Sequence, residues 1–197
     1  MATTTETAGS NAQRERRRRI LDATIELADS GGFDAVQMRA VADNADVALG
    51  TLYRYFPSKI HLLVTALGRE FERAEAQSRT RVVPGDTPHE RVMHVLGVTT
   101  TALQKQPQLT EALTRAFMFA DASVADEIHV VGMKLTAMLT HAIDGTDESR
   151  EPTDEDMAIV RVIGDVWLSA LMGWVTGRTQ AADVTTSMDV AVRLLLR

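Results

Sequence analysis

The sequence predicts an all-α fold of about nine helices, a three-helix N-terminal unit followed by a larger helical unit. Three observations carry this. Apolar residues recur at spacings of three and four along most of the chain, and no stretch alternates with the period of a strand. Leu, Ala, Val and Met are plentiful while aromatics make up 5% of the 197 residues, a composition suited to helices packed on helices. Punctuation at Gly31-Gly32, Pro57, VVPGDTP, Pro107, DGTDESREP and TGRTQ divides the chain into segments of helical length.

Residues 1–12 form a polar leader, expected to be disordered. From Gln13 to Ser30, the residues Ile20, Thr24, Leu27 and Ala28 share one helical face, and the glycine pair ends the run. Met38, Val41, Ala42 and Ala45 mark a short second helix that stops at the polar turn Asn44-Ala45-Asp46. Ala48 to Tyr55 make about two turns, closed at Phe56 because Pro57 steers the residue before it out of the α region. Ser58 is placed to cap a long helix carrying Leu63, Leu67, Phe71 and Ala74 to about Arg81. Further helices are expected over 88–106, 108–120, 123–144, 153–176 and 183–196. Thr153 with Asp156 three residues on has the form of a capping box. There is no internal repeat.

Composition bounds the role. The chain has no cysteine, which fits a reducing cytoplasm and removes thiolate chemistry. The leader lacks the apolar core of a signal peptide, and no apolar run is expected to span a bilayer, so no membrane partner is expected. The net charge of −6 is uneven. Residues 1–81 hold twelve Lys and Arg against eleven Asp and Glu, residues 82–197 nine against sixteen, which suggests different tasks for the two parts.

The stretch DVALGTLYRYFPSK, Asp46 to Lys59, holds both tyrosines of the chain, with a phenylalanine, an arginine and a lysine. Two short helices joined by a tight turn and braced by a longer helix make a helix-turn-helix, whose second helix enters the major groove. Val41, Ala42, Val47, Leu52 and Phe56 then face inward, and Thr51, Tyr53, Arg54 and Tyr55 lie near the outer edge. Gly50 lets backbone approach the sugar-phosphate wall. Tyrosine hydroxyls donate to phosphates, lysine neutralises them, and arginine can pair with guanine. The competing reading of each tyrosine is a core aromatic, and for Phe56 that is the better one. The run Arg14 and Arg16–Arg19 is either a solvated helix start or an arm that reaches phosphates.

MRAVADNADVALGTLYRYFPSK closely resembles the signature of the tetracycline-repressor (TetR) family, and the resemblance covers Gln13 to Phe71. It implies an all-helical homodimer, with a DNA-binding domain over 13–73 and a ligand-binding and dimerisation domain over 74–197, acting on double-stranded operator DNA. The resemblance implies DNA contacts at Thr51, Tyr53, Tyr55 and Lys59, with Gln37, Met38 and Arg39 beside them; Gly50 and Arg54 complete the expected edge. Asp46 and Ala48 depart from the glycine and serine that the family prefers. Aspartate tolerates the left-handed turn, whereas alanine caps poorly, at about 1 kcal/mol relative to serine.

A narrower resemblance runs from ADVALGTLYRYFPSK into HLLVTALGREFERAEA, to the actinobacterial branch of the family that represses cholesterol (ketosteroid) catabolism. It implies a repressor of sterol-degradation genes, relieved by a steroid acyl-CoA thioester and needing no cofactor; other hydrophobic ligands or fatty acyl-CoA remain alternatives. Leu103, Phe117, Met118, Phe119, Met133, Met138, Trp167, Met172 and Trp174 are candidate ligand contacts, since methionine walls adapt and indoles stack on rings; core packing is the competing reading. Lys105, Arg115, Lys134, Arg161 and Arg178 are cations available to a CoA, unranked. Gly164, Leu168, Leu171, Val192 and Leu195 are the expected dimer contacts, with an internal helix pair as the alternative.

An enzyme is disfavoured. His61, His89, His94, His129 and His141 form no HExxH pair, and no glycine-rich phosphate loop follows a strand. A helical module binding only proteins would leave the Tyr-Arg-Tyr edge and Lys59 without a role.

Overall fold

A computed structural model of the chain describes residues 3–79, 82–145 and 150–196, and every long regular element among them is an α-helix. They run α1 Thr3–Ala35, α2 Met38–Asn44, α3 Leu49–Tyr55, α4 Lys59–Arg79, α5 Pro88–Lys105, α6 Pro107–Met118, α7 Ala125–Asp144, α8 Asp154–Val175 and α9 Ala181–Leu195. A short 3-10 turn, Ala122–Val124, precedes α7. Residues 3–12, expected to be a disordered leader, are described as the first turns of α1. Gly31 and Gly32 interrupt α1 with non-helical backbone, and Gly32 has φ 68°.

Most helix starts have a local chemical cause. Thr87 and Glu90 form a capping box with Pro88 in the first turn of α5, and Thr153 and Asp156 form the expected box on α8. Ser58 Oγ accepts the His61 amide at 3.1 Å, so α4 begins as anticipated. Pro107 begins α6 one residue early, and the Asp121 carboxylate accepts the Ser123 amide before α7. Arg91 closes the far end of α7, donating to the carbonyls of Ala142 (2.7 Å) and Ile143 (2.8 Å). These carbonyls have no partner within the helix, so a cation there satisfies both geometry and dipole.

Two cores result. The first joins Ile20, Ala28, Val41, Leu52, Phe56 and Leu63 of α1–α4 with Leu109, Ala112, Leu113 and Ala116 of α6. The N-terminal unit is thus sealed by a helix from beyond residue 74. The second core gathers α5, α7, α8 and α9 around Leu96, Leu139, Ile163, Trp167 and Met188. Trp167 donates its indole N–H to Thr100 Oγ1 at 3.0 Å and meets Phe71 of α4 edge-on at 6.2 Å. This indole both fills volume and satisfies its polar atom.

α8 corrects the expectation that no apolar run reaches bilayer length. It has 22 residues and a window of mean hydropathy 1.5, enough by length and composition to cross a membrane. Its apolarity serves two faces, one against the second core and one turned outward at Val162.

Candidate nucleic-acid interface and effector cavity

The α2–α3 turn depends on one residue in the left-handed region. Asp46 has φ 52°, the conformation anticipated there, and the Val47 amide returns to the Ala42 carbonyl at 3.0 Å. Ala48 provides no side-chain cap to α3. Beneath the turn Val41, Ala42, Leu52 and Phe56 are buried, while Val47 is half-buried. Above it Gln37, Arg39, Gly50, Tyr53 and Arg54 are exposed, and Met38 and Thr51 are half-buried. A Cβ on Gly50 would meet nothing within 4 Å, so this face of α3 is free to approach a surface.

Two expected contacts differ in placement. Tyr55 packs half-buried against the first core, with its ring 6.3 Å from that of Phe56. Only its outer part is available. Lys59 points back to the protein: its Nζ sits 3.8 Å from the centre of the Phe33 ring, which Arg115 also approaches at 4.4 Å. Burial pushes the Lys59 ammonium below its usual range, with the Asp34 carboxylate opposing. The arginine run is largely engaged within the chain. Arg18 pairs with Glu15 and Asp22, Arg19 lies 3.7 Å from Asp46, and Arg17 lies over Phe56.

At this junction α6 grips the end of α1. The Glu111 carboxylate accepts the Phe33 amide at 2.8 Å, and Arg115 reaches Asp34 at 3.7 Å and Glu111 at 3.3 Å. Nothing in the local pattern of the sequence announces this contact, because its partners are 78 residues apart.

The opposite side of α6 lines a cavity of about 490 Å³, within the size range of small-molecule sites. Leu67 and Phe71 come from α4, Leu113 and Phe117 from α6, Val131 and Leu135 from α7, and Val160 and Leu168 from α8. Of the expected ligand contacts Leu103, Phe117, Met133 and Trp167 line it. The remaining five do not. Met138 is buried in the second core, Met172 and Trp174 lie half-buried away from the cavity, and Met118 and Phe119 are exposed at the C-terminal end of α6. Successive helical residues turn by about 100°, so Phe117 faces inward and its two neighbours cannot. Sequence reasoning missed the threonines Thr110, Thr114 and Thr136 and the rim residues His129 and Asp165, while Arg161, one of the five cations left unranked, stands on the rim. Arg161 gave a signal, as one of the few charges in the most apolar helix.

The expected dimer contacts also move. Leu171 and Val192 are buried inside the protomer, Gly164 and Leu168 line the cavity, and Leu195 packs half-buried on the second core. The outward apolar positions are instead Val162 of α8 and Val190 and Leu194 of α9, beside a shallow groove lined by Val166, Ser169, Ala170 and Ser187. Among the described residues no group of three or more His, Asp or Glu side chains could hold a metal ion.

Comparison with known proteins covers both units. Residues 20–66 match the family described as bacterial regulatory proteins, tetR family, and residues 85–195 match the tetracyclin repressor-like C-terminal domain. The chain is 56% identical over 189 residues to the HTH-type transcriptional repressor KstR of Mycolicibacterium smegmatis, spanning 95% of this chain and 90% of that protein. A TetR transcriptional regulator from Rhodococcus sp. RHA1 superposes with a TM-score of 0.84 at 31% identity, over 94% of this chain and 97% of that one. The fold is shared with Thermus thermophilus FadR, a TetR-family repressor solved in complex with lauroyl-CoA, at a TM-score of 0.70 and 20% identity over 91% and 93% of the two chains.

Proposed function

The chain belongs to the TetR family of bacterial regulatory proteins, and from that premise we propose a ligand-relieved transcriptional repressor of sterol catabolism, released from operator DNA by a steroid acyl-CoA thioester. One observation supports the ligand-relieved part most directly: α6 closes the core beneath the helix-turn-helix with one face and walls the apolar cavity with the other. Leu113 belongs to both, buried in the first core and lining the cavity. A ligand that enlarges the cavity therefore pushes on a side chain packed into the core of the DNA-binding unit. α4 gives a second route, running from Lys59 beside the recognition helix to Leu67 and Phe71 on the cavity wall.

In this reading residues 13–73 bind DNA and 74–197 bind ligand and partner. Gln37, Met38, Arg39, Gly50, Thr51, Tyr53, Arg54 and Tyr55 form the DNA-facing edge, and Lys59 joins them by leaving Phe33. Two protomers pair through the outward stripes of α8 and α9. Burial of Val162, Val190 and Leu194 there accounts for a helix apolar on both faces. A two-fold pair then presents its recognition helices to successive major grooves, about 34–36 Å apart. A role on operator DNA places the protein in the cytoplasm and requires no catalysis. The sterol identity follows from the narrower sequence resemblance and is supported by identity to a named KstR repressor along 95% of the chain.

The test is fluorescence anisotropy on a duplex from the gene's own upstream region while the CoA thioester of a cholesterol side-chain acid is titrated in. Release of the duplex by the thioester, with free cholesterol inert, is expected. Tight binding to the duplex that no steroid thioester disturbs would reject the sterol reading and leave the family role standing.

A further inference from the structure

The rim of the cavity holds a cation with no hydrogen-bond or ion-pair partner among the described residues. Four of the five basic residues of the C-terminal half that could serve an anionic ligand are engaged or elsewhere. Arg115 is committed to Asp34, Glu111 and the Phe33 ring, and Lys134 pairs with buried Glu75 at 2.9 Å. Arg178 donates to Thr176 Oγ1 beyond the end of α8, and Lys105 lies at the end of α5 away from the cavity. Arg161 alone of these lines the cavity; it is exposed, and it makes no hydrogen bond or ion pair among the described residues.

The surroundings of Arg161 define an entrance. Met157 and Asp165 stand one turn to either side of it on α8, and His129, Gly132 and Met133 belong to the facing helix α7; all line the cavity and all are exposed. A Cβ on Gly132 would meet nothing within 4 Å, so the backbone of α7 leaves this side open. Inward from the rim the lining turns to Leu113, Val131, Leu135, Val160, Trp167 and Leu168.

We propose that Arg161, with the His129 ring on the facing helix, holds the phosphate-bearing part of an amphipathic thioester at this entrance while the apolar part fills the cavity. The assignment deepens the function proposed above and rests on it. Volume and solvation both require this division. A cavity of about 490 Å³ takes a fused-ring or acyl body but not a nucleotide in addition. A phosphate drawn into an apolar lining without partners would also lose its hydration, at a large cost. A guanidinium at the rim offers two parallel N–H donors to phosphate without leaving water. Asp165, one turn along, makes the preference depend on Arg161, because without that arginine the α8 side of the rim carries only a carboxylate.

The experiment uses the full chain and three probes: the CoA thioester of a cholestenoic acid, the methyl ester of the same acid, and palmitoyl-CoA. Binding is read from the quenching of tryptophan fluorescence, since Trp167 lines the cavity, and operator release from anisotropy. Arg161→Gln is expected to weaken thioester binding about ten-fold or more and to leave the methyl ester within about two-fold, with Arg161→Lys falling between. Thermal unfolding of both variants separates this from a folding defect. Equal thioester affinity in wild type and Arg161→Gln overturns the assignment, as does a methyl ester that binds as tightly as its thioester. If palmitoyl-CoA binds with the same dependence on Arg161 while the steroid thioester does not bind, the phosphate site stands and the sterol reading falls. Failure of both thioesters to bind refutes the two together.

Discussion

Replacing Gly32 by alanine should detach the N-terminal unit from α6, and the structure sets the size of the effect. Gly32 sits at φ 68°, ψ −161°, a conformation essentially reserved for glycine, and forcing another residue there costs about 1–3 kcal/mol. The new Cβ would lie 2.8 Å from the Glu111 carboxylate and 3.0 Å from Gln108 Oε1, so Glu111 must move. Moving it breaks the 2.8 Å bond from the Phe33 amide, a hydrogen bond to a charged group worth about 1.5–3 kcal/mol. Alanine returns about 0.4–1 kcal/mol by stiffening the unfolded chain. The net loss is roughly 2–5 kcal/mol, a large share of the ~5–15 kcal/mol that holds a protein folded. Urea unfolding measures it, with Gly97→Ala as the control: that glycine lies inside α5 with nothing near its Cβ, and alanine should stabilise by about 0.5–1 kcal/mol. Operator affinity of Gly32→Ala should fall as well, because the helix-turn-helix core loses its seal. A Gly32→Ala protein within about 1 kcal/mol of wild type would refute the grip of α6 on this turn.

Lys59→Ala should lower affinity for all DNA sequences alike and flatten the salt dependence by about one unit, measured by anisotropy from low to high salt; an unchanged slope would mean that Lys59 stays on Phe33 and never reaches phosphate. Asp156 is held well below the usual carboxylate range by Arg150, whose guanidinium it meets at 2.6 Å, with Thr153 adding hydrogen bonds. A carboxylate with a lowered folded pKa binds fewer protons in the native state, so its contribution is full above its ordinary value near 3.8 and is lost as pH falls further toward the folded value. Asp156→Asn should therefore unfold with a weaker acid dependence below about pH 4 than wild type, followed by circular dichroism. Val162→Asp, placed on the outward stripe of α8, should turn a dimer into monomers in analytical ultracentrifugation while leaving helicity intact.

Much of the architecture was legible because helix ends are local chemistry. Thr87-Pro88, Thr153 with Asp156, Ser58 and Gly31-Gly32 each act on backbone groups a few residues away, so their effect is written beside them. The helix-turn-helix was legible for the same reason, with Asp46 in its turn and Leu52 and Phe56 beneath. What escaped reading was contact between distant segments. No periodicity on α6 says that Ala112 and Ala116 pack against α1, or that Glu111 meets Phe33. Sequence pattern alone does not divide cavity, core and outward residues on α8, because that helix is apolar on both faces. Gly164, Leu168 and Leu171 share a pattern with Val162 and Val166, and only packing tells cavity from core from outer surface.

The shared residue Leu113 constrains what an inducer must be. A ligand with equal affinity for the DNA-competent and DNA-free forms shifts nothing however tightly it binds. Release requires differential affinity, and shifting a population from 1:99 to 99:1 takes about 5.5 kcal/mol of it. That difference is expected to arise where the cavity wall also packs on the DNA-binding core, at Leu113 on α6 and at Leu67 on α4. An inducer acting through this wall must favour the arrangement those side chains take in the DNA-free form. Steroid fragments that occupy the α7–α8 side alone would be expected to bind and quench Trp167 yet leave the operator occupied. The coupling is also reciprocal: operator DNA, by holding α4 and α6 in place, must weaken the inducer by the same factor as the inducer weakens DNA.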